Sequence, residues 1–416
     1  FVEQGLHLAK DGYVCYILPN KFFKSDGGKG LRSTLSEKRA VNEIVDFGEY
    51  QVFEDAITYT CILSLSFDNS EFEYIQANEG VMSSEEIRSL PHAVIEMDGY
   101  GKDPWVLTGP KEAQVLDKME DLGTESGEVS KYVSQGLVTG DNEVLFAEIE
   151  TIGGNTTKIR SFADSELYEL ENEMVHPVID GDDVSRYDSL DTDIAVIYPY
   201  RSDSNEAQII PEDELEREYP LTYQYLSEFQ ERLANRGSEG MDYTPWYSLW
   251  RPRERELWES PKLLHPRIVE RSEFALDDEG GLFLHDSGYG IVPEENTQPV
   301  RLFWLAVLNS SSTWFYLYLT SPVIENDFRQ PLATYLTPIP LPDIEPEDDP
   351  QKHSGKFEEL IEDFLKTGTL SDIGLPKTFI AYLAQWLIDK HDSRDSLNLS
   401  LLDHLGVSED DEVDGD

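Results

Sequence analysis

The sequence is poor in basic residues, and this shortage limits the partners that the chain can have. Its 33 lysines and arginines stand against 83 aspartates and glutamates, a formal net charge of −50. In ordinary salt such a charge argues against nucleic acid as a partner. The acids run through nearly every segment, which is typical of a protein folded in molar salt, where the Debye length falls to about 3 Å. We therefore expect a halophilic cytoplasm, in which local basic clusters rather than net charge indicate the partner.

Cysteines and long apolar runs are also scarce. The two cysteines, Cys15 and Cys61, lie in apolar, strand-like runs, so we interpret them as small core residues of a reducing compartment. A disulfide between neighbouring strands is the alternative. The longest apolar stretch, residues 302–319, is interrupted by Asn309 and three serines. A membrane span needs about 20 mostly apolar residues, so this stretch predicts a buried pair of helices or strands.

Motifs of several enzyme classes are missing. The sequence has no HExxH, no CxxC and no P-loop. The glycine pair in residues 151–157 predicts a turn, not a dinucleotide site. Residues 342–352 resemble a nuclease carboxylate cluster but lack its acid–x–lysine spacing. The run Tyr198-Pro199-Tyr200 resembles an adenine-methylase tetrapeptide without its leading Asn or Asp, so we interpret it as a strand that ends at a proline turn.

The hydrophobic pattern predicts an α/β fold at the start of the chain. Helical spacing covers residues 1–10 and 31–40, and short apolar strands cover residues 13–18 and 41–47. A strict alternation from Ile57 to Phe67 predicts a half-buried strand. Because only a short loop separates the last two strands, we expect them to pair antiparallel.

Composition changes divide the 416 residues into segments. The chain begins at Phe1 within a helical pattern, so we expect it to be a piece of a longer protein. We predict a first domain at 1–70, a linker with one or two strands at 71–110, a mixed domain at 111–345, a helical segment at 346–407 and a disordered acidic tail at 408–416.

Two local clusters are basic against the acidic background. Residues 21–39 hold six basic and two acidic residues, and residues 251–271 hold six basic and four acidic residues. Arginine side chains bind phosphates and base edges, and the second cluster is flanked by aromatic residues on which bases can stack. The alternative is a set of Arg–Glu pairs along a helix with the tryptophans in the core.

Six runs occur in an order that resembles a known family. They are residues 12–65, 133–146, 176–187, 219–236, 250–268 and 305–341. Together they resemble the carboxyl-terminal part of adenine-specific DNA methyltransferases of the Eco57I and TaqI type, from restriction–modification or phage-defence systems. The resemblance covers roughly residues 1–345. It implies the last strands and helices of a class I methyltransferase sheet, then a mixed α+β TaqI-like target-recognition domain and a helical tail.

The resemblance also implies roles for particular residues. Phe53, on a loop between two strands, matches the aromatic residue that stacks on the flipped adenine in this family; the alternative is a core phenylalanine that closes the end of the sheet. Further residues would contact DNA or shape a recognition loop: Lys21, Lys24, Lys29, Gly136, Thr139, Gly140, Arg251, Arg253, Lys262 and Arg267.

The sequence departs from the family in one respect. The family's glycine motif for S-adenosylmethionine, its acidic partner and the catalytic tetrapeptide lie upstream, and none is found in these 416 residues. The resemblance therefore implies part of a base-flipping enzyme that methylates adenine N6 without a metal. We expect this chain alone to be inactive and to need a missing N-terminal methyltransferase half or partner chain besides double-stranded DNA. A non-catalytic DNA-specificity subunit and an acidic DNA mimic are the alternatives.

Overall fold

A computed structural model describes residues 1–9, 12–53, 58–77, 83–201, 206–237, 243–324, 328–342, 346–369 and 374–392. The chain divides into two compact units. The first comprises residues 1–123 and 315–331, and the second comprises residues 124–314 and 332–416. Ile57, the predicted start of one strand, and the predicted tail at 408–416 lie outside the described residues.

The first unit is built on a five-stranded sheet with the strand order β1-β3-β2-β4-β5. Its elements are α1 (Val2–Ala9), β1 (Val14–Pro19), α2 (Lys29–Glu37), β2 (Val41–Asp46), β3 (Thr60–Leu65), β4 (Glu71–Gln76), α3 (Ser84–Ser89), β5 (His92–Glu96) and α4 (Pro110–Leu122). The helix–strand–helix–strand order predicted for its start is therefore observed.

Strand β3 runs antiparallel to both of its neighbours. Cys61 is opposite Leu18 of β1 on one side and opposite Asp46 of β2 on the other. The predicted antiparallel pair is confirmed. The first residues of β3 lie opposite the last residues of β1 and β2. The carboxyl ends of β1 and β2 are therefore at the same edge of the sheet, and the loops that follow them start there.

The segment predicted as a linker, residues 71–110, is instead part of this sheet. Strand β4 pairs parallel with β2, and β5 pairs antiparallel with β4. The acidic residues that suggested a linker lie on the exposed face of β4, whereas Phe72, Tyr74 and Ile75 are buried. Only the one or two strands expected within the linker were predicted correctly.

The core of this unit contains aromatic residues whose burial the sequence patterns did not predict. Trp105 is buried and contacts the rings of Phe22, Phe72 and Tyr100. Its indole nitrogen donates a hydrogen bond to the carbonyl oxygen of Gly101 at 2.8 Å. Trp105 lies in an irregular segment, so no periodicity indicated its burial.

The second unit contains a six-stranded, a four-stranded and a two-stranded sheet among its described residues, with the orders β10-β9-β8-β12-β11-β15, β14-β13-β16-β7 and β17-β6. From residue 124 onward the elements are β6 (Thr124–Glu125), β7 (Ser130–Gln135), α5 (Asn142–Leu145), β8 (Phe146–Ile152), β9 (Thr156–Ser161), β10 (Leu167–Glu171), β11 (Val175–Ile179), β12 (Ile194–Ile197), α6 (Glu212–Glu218), α7 (Pro220–Glu228), α8 (Gln230–Ala234), α9 (Arg255–Glu259), β13 (Lys262–Pro266), β14 (Ala275–Asp277), β15 (Phe283–Leu284), β16 (Gly288–Pro293), α10 (Gln298–Leu308), α11 (Ser311–Thr320), α12 (Ala333–Leu336), β17 (Pro340–Leu341), α13 (Ser354–Thr367) and α14 (Pro376–Asp392).

Several predictions for this part of the chain are confirmed. The glycine pair lies in the turn of the β8–β9 hairpin, and the long apolar stretch forms the helices α10 and α11. The described part of the segment predicted as helical, residues 346–407, contains α13 and α14, and α14 packs against α10. Among the described residues, no helix has the length and apolar character to cross a membrane.

The two cysteines are free thiols in different environments. Cys61 on the central strand β3 is buried, as predicted. Cys15 is exposed, so its prediction as a core residue was wrong. It lies on the edge strand β1, on which Ile17 is also exposed, as is Tyr13 just before the strand.

Candidate nucleic-acid interface

Phe53 lies on the loop that follows β2. The residue is 43% exposed, and its carbonyl oxygen accepts a hydrogen bond from Nε2 of Gln51 at 3.0 Å. The residue is therefore accessible to solvent, as a stacking role requires. The alternative, a phenylalanine buried at the end of the sheet, does not describe this environment. The stacking role itself remains a prediction.

The loop after β1 carries the first basic cluster. Lys21 and Lys29 are exposed. Lys24 is not: its ammonium group donates to the carbonyl oxygens of Leu319 at 2.5 Å and Ser321 at 3.1 Å. Burial lowers the pKa of Lys24 to about 7. In this conformation Lys24 anchors residues 319–321, so its prediction as a DNA contact is corrected.

Arg32 organises this loop, a role that sequence reasoning missed. The residue is 1% exposed. One terminal nitrogen donates to the carbonyl oxygens of Phe22 at 2.6 Å and Ser25 at 2.8 Å, and Nε donates to that of Lys102 at 2.9 Å. Because the guanidinium satisfies several backbone acceptors, the chain can curve around it and leave Lys21 at the surface.

In the second unit, the predicted recognition loop of Gly136, Thr139 and Gly140 is held by backbone geometry. A Cβ atom at Gly136 would lie 2.0 Å from the carbonyl oxygen of His285. Gly140 has a φ of +84°, a left-handed conformation that glycine adopts without strain. Thr139 is buried, and its hydroxyl donates to Oδ1 of Asn142 at 2.5 Å. These residues shape the loop, whereas its contact with DNA remains a prediction.

A polar network joins this loop to the turns beside it. Nδ1 of His285 lies 2.9 Å from Oδ2 of Asp180, and Nε2 lies 2.9 Å from Oδ1 of Asp286 and 3.1 Å from the side-chain Nδ2 of Asn142. The hydroxyl of Ser287 donates to Oδ1 of Asp180 at 2.7 Å. Burial by itself would lower the pKa of His285, but the hydrogen bonds and charges of the Asp286 and Asp180 carboxylates together raise it. This network was not predicted, because its members come from three separate segments.

Arg251 and Arg253 line a cavity of about 390 Å³ next to strand β7. Arg251 is exposed, and its backbone pairs with Val138 of the recognition loop. Nε of Arg253 donates to the carbonyl oxygen of Gly136 at 3.1 Å. The other residues that line the cavity are Tyr132, Ser134, Glu206, Ala207, Glu254 and Leu257. The structure thus brings two of the predicted basic residues together with the predicted loop.

Other members of the second cluster are structural. Lys262 is fully buried, and its ammonium group lies 2.5 Å from Oδ2 of Asp277. It cannot reach a phosphate, so its prediction as a DNA contact is corrected. Arg255 pairs with Glu259 along helix α9, and Trp258 is buried, as the structural alternative expected. Arg267 is half-buried, and its role in DNA binding remains a prediction.

The described residues hold no group of three or more His, Cys, Asp or Glu that could bind a metal ion. The nuclease-like run at residues 342–352 is only partly described, and no such group lies in the part that is.

Comparison with protein families matches both units. Residues 1–53 match the Eco57I restriction-modification methylase, and residues 176–341 match the TaqI-like C-terminal specificity domain. The chain is thus similar to restriction–modification methyltransferases in both regions. The similarity is to the Eco57I/TaqI type, which confirms the resemblance drawn from the motifs.

Curated relatives are of the same kind. The chain is 27% identical over 380 residues to the type II restriction enzyme and methyltransferase RM.Eco57I of Escherichia coli, covering 85% of this chain and 37% of that protein. It is 23% identical over 385 residues to the type II methyltransferase M.BstVI of Geobacillus stearothermophilus, covering 87% of this chain and 64% of that protein. The chain therefore spans between a third and two thirds of these relatives.

A solved structure shares the fold. The type IIL restriction-modification enzyme MmeI, determined in complex with DNA, matches with a TM-score of 0.50 at 13% identity, over 98% of this chain and 50% of that chain. At this identity the likeness concerns the fold alone.

Proposed function

We propose that the chain is the carboxyl-terminal part of a site-specific DNA methyltransferase that transfers a methyl group to adenine N6. One observation carries the proposal: Phe53 is exposed, and its loop leaves the same edge of the sheet as the loop of Lys21 and Lys29. An aromatic face and two cations at one edge suit an extruded base and its flanking phosphates.

The chemistry requires base flipping. The target amine is inaccessible inside a duplex, so the adenine must leave the stack and lose its stacking neighbours. Stacking on an aromatic side chain restores about 1–3 kcal/mol per base. Phe53 would supply that face. In the second unit, Arg251, Arg253 and Arg267 would contact phosphates or base edges, and the loop of Gly136 and Gly140 would lie against the duplex.

The methyl donor implied by the family is S-adenosylmethionine. Asp46, the acidic residue at the end of β2, does not fit as its ligand, because the carboxylate is buried and accepts hydrogen bonds from Asn20, Gly48 and Tyr74. We therefore assign no residue of this chain to the donor. Residues of a methylase half outside this chain would bind it and would polarise the target amine.

The open edge of β1 is the place where that half would join. Within the described residues β1 pairs with β3 alone, and Cys15 and Ile17 are exposed along it, as is Tyr13 just before it. Exposed apolar residues on an unpaired edge strand are normally covered by another segment. Mixing the chain with a separately produced methylase half should bury Cys15 and protect its thiol from alkylation.

Methylation assays with this reconstituted complex test the function. Phe53→Ala should lower kcat by about tenfold or more, since it removes a stacking contact worth about 1–3 kcal/mol, while Phe53→Trp retains activity. The product must be N6-methyladenine. Methylation at another base, or equal rates for both variants, would refute the proposal.

The alternative, a non-catalytic specificity subunit, has the same recognition domain. It predicts that a methylase encoded as a separate chain co-purifies with this one. The two possibilities differ in whether the methylase sequence is continuous with Phe1 in the same reading frame.

A further inference from the structure

The loop that carries Phe53 is fixed to the sheet by a compact group of polar side chains. Oδ1 of Asp46 accepts hydrogen bonds from Nδ2 of Asn20 at 2.9 Å and from the backbone nitrogen of Gly48 at 3.0 Å. Nδ2 of Asn20 also donates to the carbonyl oxygen of Gly48 at 3.0 Å. The hydroxyl of Tyr74 donates to Oδ2 of Asp46 at 3.3 Å. The backbone N–H of Gly48 is therefore bound by the side chain of Asp46, and its carbonyl oxygen by the side chain of Asn20.

This group joins two strands that are not neighbours in the sheet. Asn20 directly follows β1 and Asp46 ends β2, while β3 lies between these strands. The Asn20–Asp46 hydrogen bond thus spans the start of β3. Gly48 has a φ of +56°, so the chain turns sharply at the point where the two side chains hold it.

Further contacts continue along the first half of the loop. The backbone nitrogen of Tyr50 donates to the carbonyl oxygen of Phe47 at 2.9 Å. Glu49 forms an ion pair with Arg329, which is 2% exposed. The loop is therefore secured as far as Tyr50, whereas Phe53, three residues later, is exposed.

We propose that Asn20 and Asp46 are positioning residues that hold this loop so that Phe53 faces the extruded adenine. The inference rests on the proposed function. Asp46 is 9% exposed, so water competes weakly for these hydrogen bonds. A loop that is ordered before DNA arrives does not lose conformational entropy when the base binds.

Asn20 also connects the Phe53 loop to the loop that carries Lys21 and Lys29. Its backbone begins the loop of Lys21 and Lys29, while its side chain holds Gly48. The same residue thus sets the spacing between the cations at the DNA backbone and the ring at the base. Loss of its side chain should impair base extrusion more than DNA binding.

The first test measures hydrogen exchange in this chain. Asn20→Ala removes two hydrogen bonds, so the amides of Gly48 and Tyr50 should exchange about tenfold faster or more. Amides of β3 should keep their rates. Asp46→Asn retains one oxygen acceptor and should have a smaller effect. Asn69→Ala is the matched control, because Asn69 forms a side-chain hydrogen bond with Ser66 beyond the opposite end of β3.

The second test uses the complex reconstituted with a methylase half. For Asn20→Ala we expect kcat to fall by about tenfold, DNA affinity to change less than about twofold, and the fluorescence rise of a purine analogue at the target position to disappear. Unchanged exchange rates of the Gly48 and Tyr50 amides would show that Asn20 does not anchor the loop. Faster exchange with unchanged kcat and fluorescence would overturn the positioning role. A wild-type complex that methylates no adenine would overturn the proposed function, and the exchange data would still report the anchor.

Discussion

The ammonium group of Lys262 lies 2.5 Å from Oδ2 of Asp277, and neither side chain is more than 8% exposed. Burial lowers the pKa of Lys262, and the carboxylate partner opposes that shift. Lys262 and Asp277 lie opposite each other at one end of the paired strands β13 and β14. A lysine within a basic cluster, which resembled a DNA-binding residue, is therefore part of the core.

Lys262→Met should destabilise the second unit strongly. It leaves the carboxylate of Asp277 buried without its cation, which costs about 3–5 kcal/mol. The free energy of unfolding in urea measures the loss. Lys131→Met is the control, because Lys131 pairs with Glu256 at a partly exposed site, where the loss should stay within about 1 kcal/mol. Similar small losses for both variants would contradict a structural role for Lys262.

Replacing Arg251 and Arg253 together with alanine should weaken DNA binding. For every phosphate that the double variant no longer binds, the slope of log affinity against log salt should fall by about one unit. Titrations over a series of salt concentrations measure both quantities. Arg255→Ala, in the same cluster but paired with Glu259, should change neither. Unchanged affinity and unchanged sequence preference in the double variant would exclude this cluster from the interface.

The polar network around His285 should make stability depend on pH. Its pKa is raised in the folded state from about 6.5 in the unfolded chain. The stabilisation is therefore complete below about pH 6.5 and is lost as the pH rises through the folded pKa. His285→Gln should remove this dependence from the free energy of unfolding. A wild-type minus variant difference that is flat from about pH 6 upward would contradict it.

Thiol labelling should distinguish the two cysteines. Cys15 is exposed and Cys61 is buried. Partial desolvation and the nearby charge of Glu43 raise the pKa of the Cys15 thiol, and burial raises the pKa of the Cys61 thiol. A maleimide should react with one thiol per folded chain, faster at higher pH because the thiolate is the nucleophile. Cys15→Ser should abolish the reaction. Rapid labelling of two thiols under native conditions would mean that β3 is not in the core.

We propose that folding requires high salt, because the net charge is −50. Raising KCl from about 0.15 M to about 2 M shortens the Debye length from about 8 Å to under 3 Å and screens repulsion between the acids. The thermal unfolding midpoint should rise over this range. Sucrose, which is uncharged, controls for general solute exclusion. An equal rise in sucrose, or none in KCl, would argue against a charge-based salt requirement.

Local patterns predicted the strands and helices well where periodicity was strong. The alternation that ends at Phe67 indicated β3, and the helical spacing of Phe357, Leu360 and Ile361 indicated α13. Patterns failed at residues 71–110, where an acidic exposed face concealed β4. They also failed at Cys15, because an apolar run does not indicate whether its strand is at the edge of a sheet.

The structure leaves some of the predicted site residues exposed and shows others to be structural. Phe53, Lys21, Lys29 and Arg251 are exposed, as residues that bind DNA must be. The positioning groups around Asn20 and His285 were missed, because they join segments that are far apart in the chain. A single sequence contains no signal for such pairs.

The sequence by itself indicated the α/β beginning and the two basic clusters, since composition and periodicity are local properties, and its ordered motifs carried the resemblance to Eco57I/TaqI-type methyltransferases. Only the tertiary structure decided which cations face solvent. The ammonium group of Lys24 binds the carbonyl oxygen of a residue 295 positions away, and Lys262 is enclosed by Asp277. Whether a charge is free or paired depends on contacts between distant segments, and these form only when the chain folds.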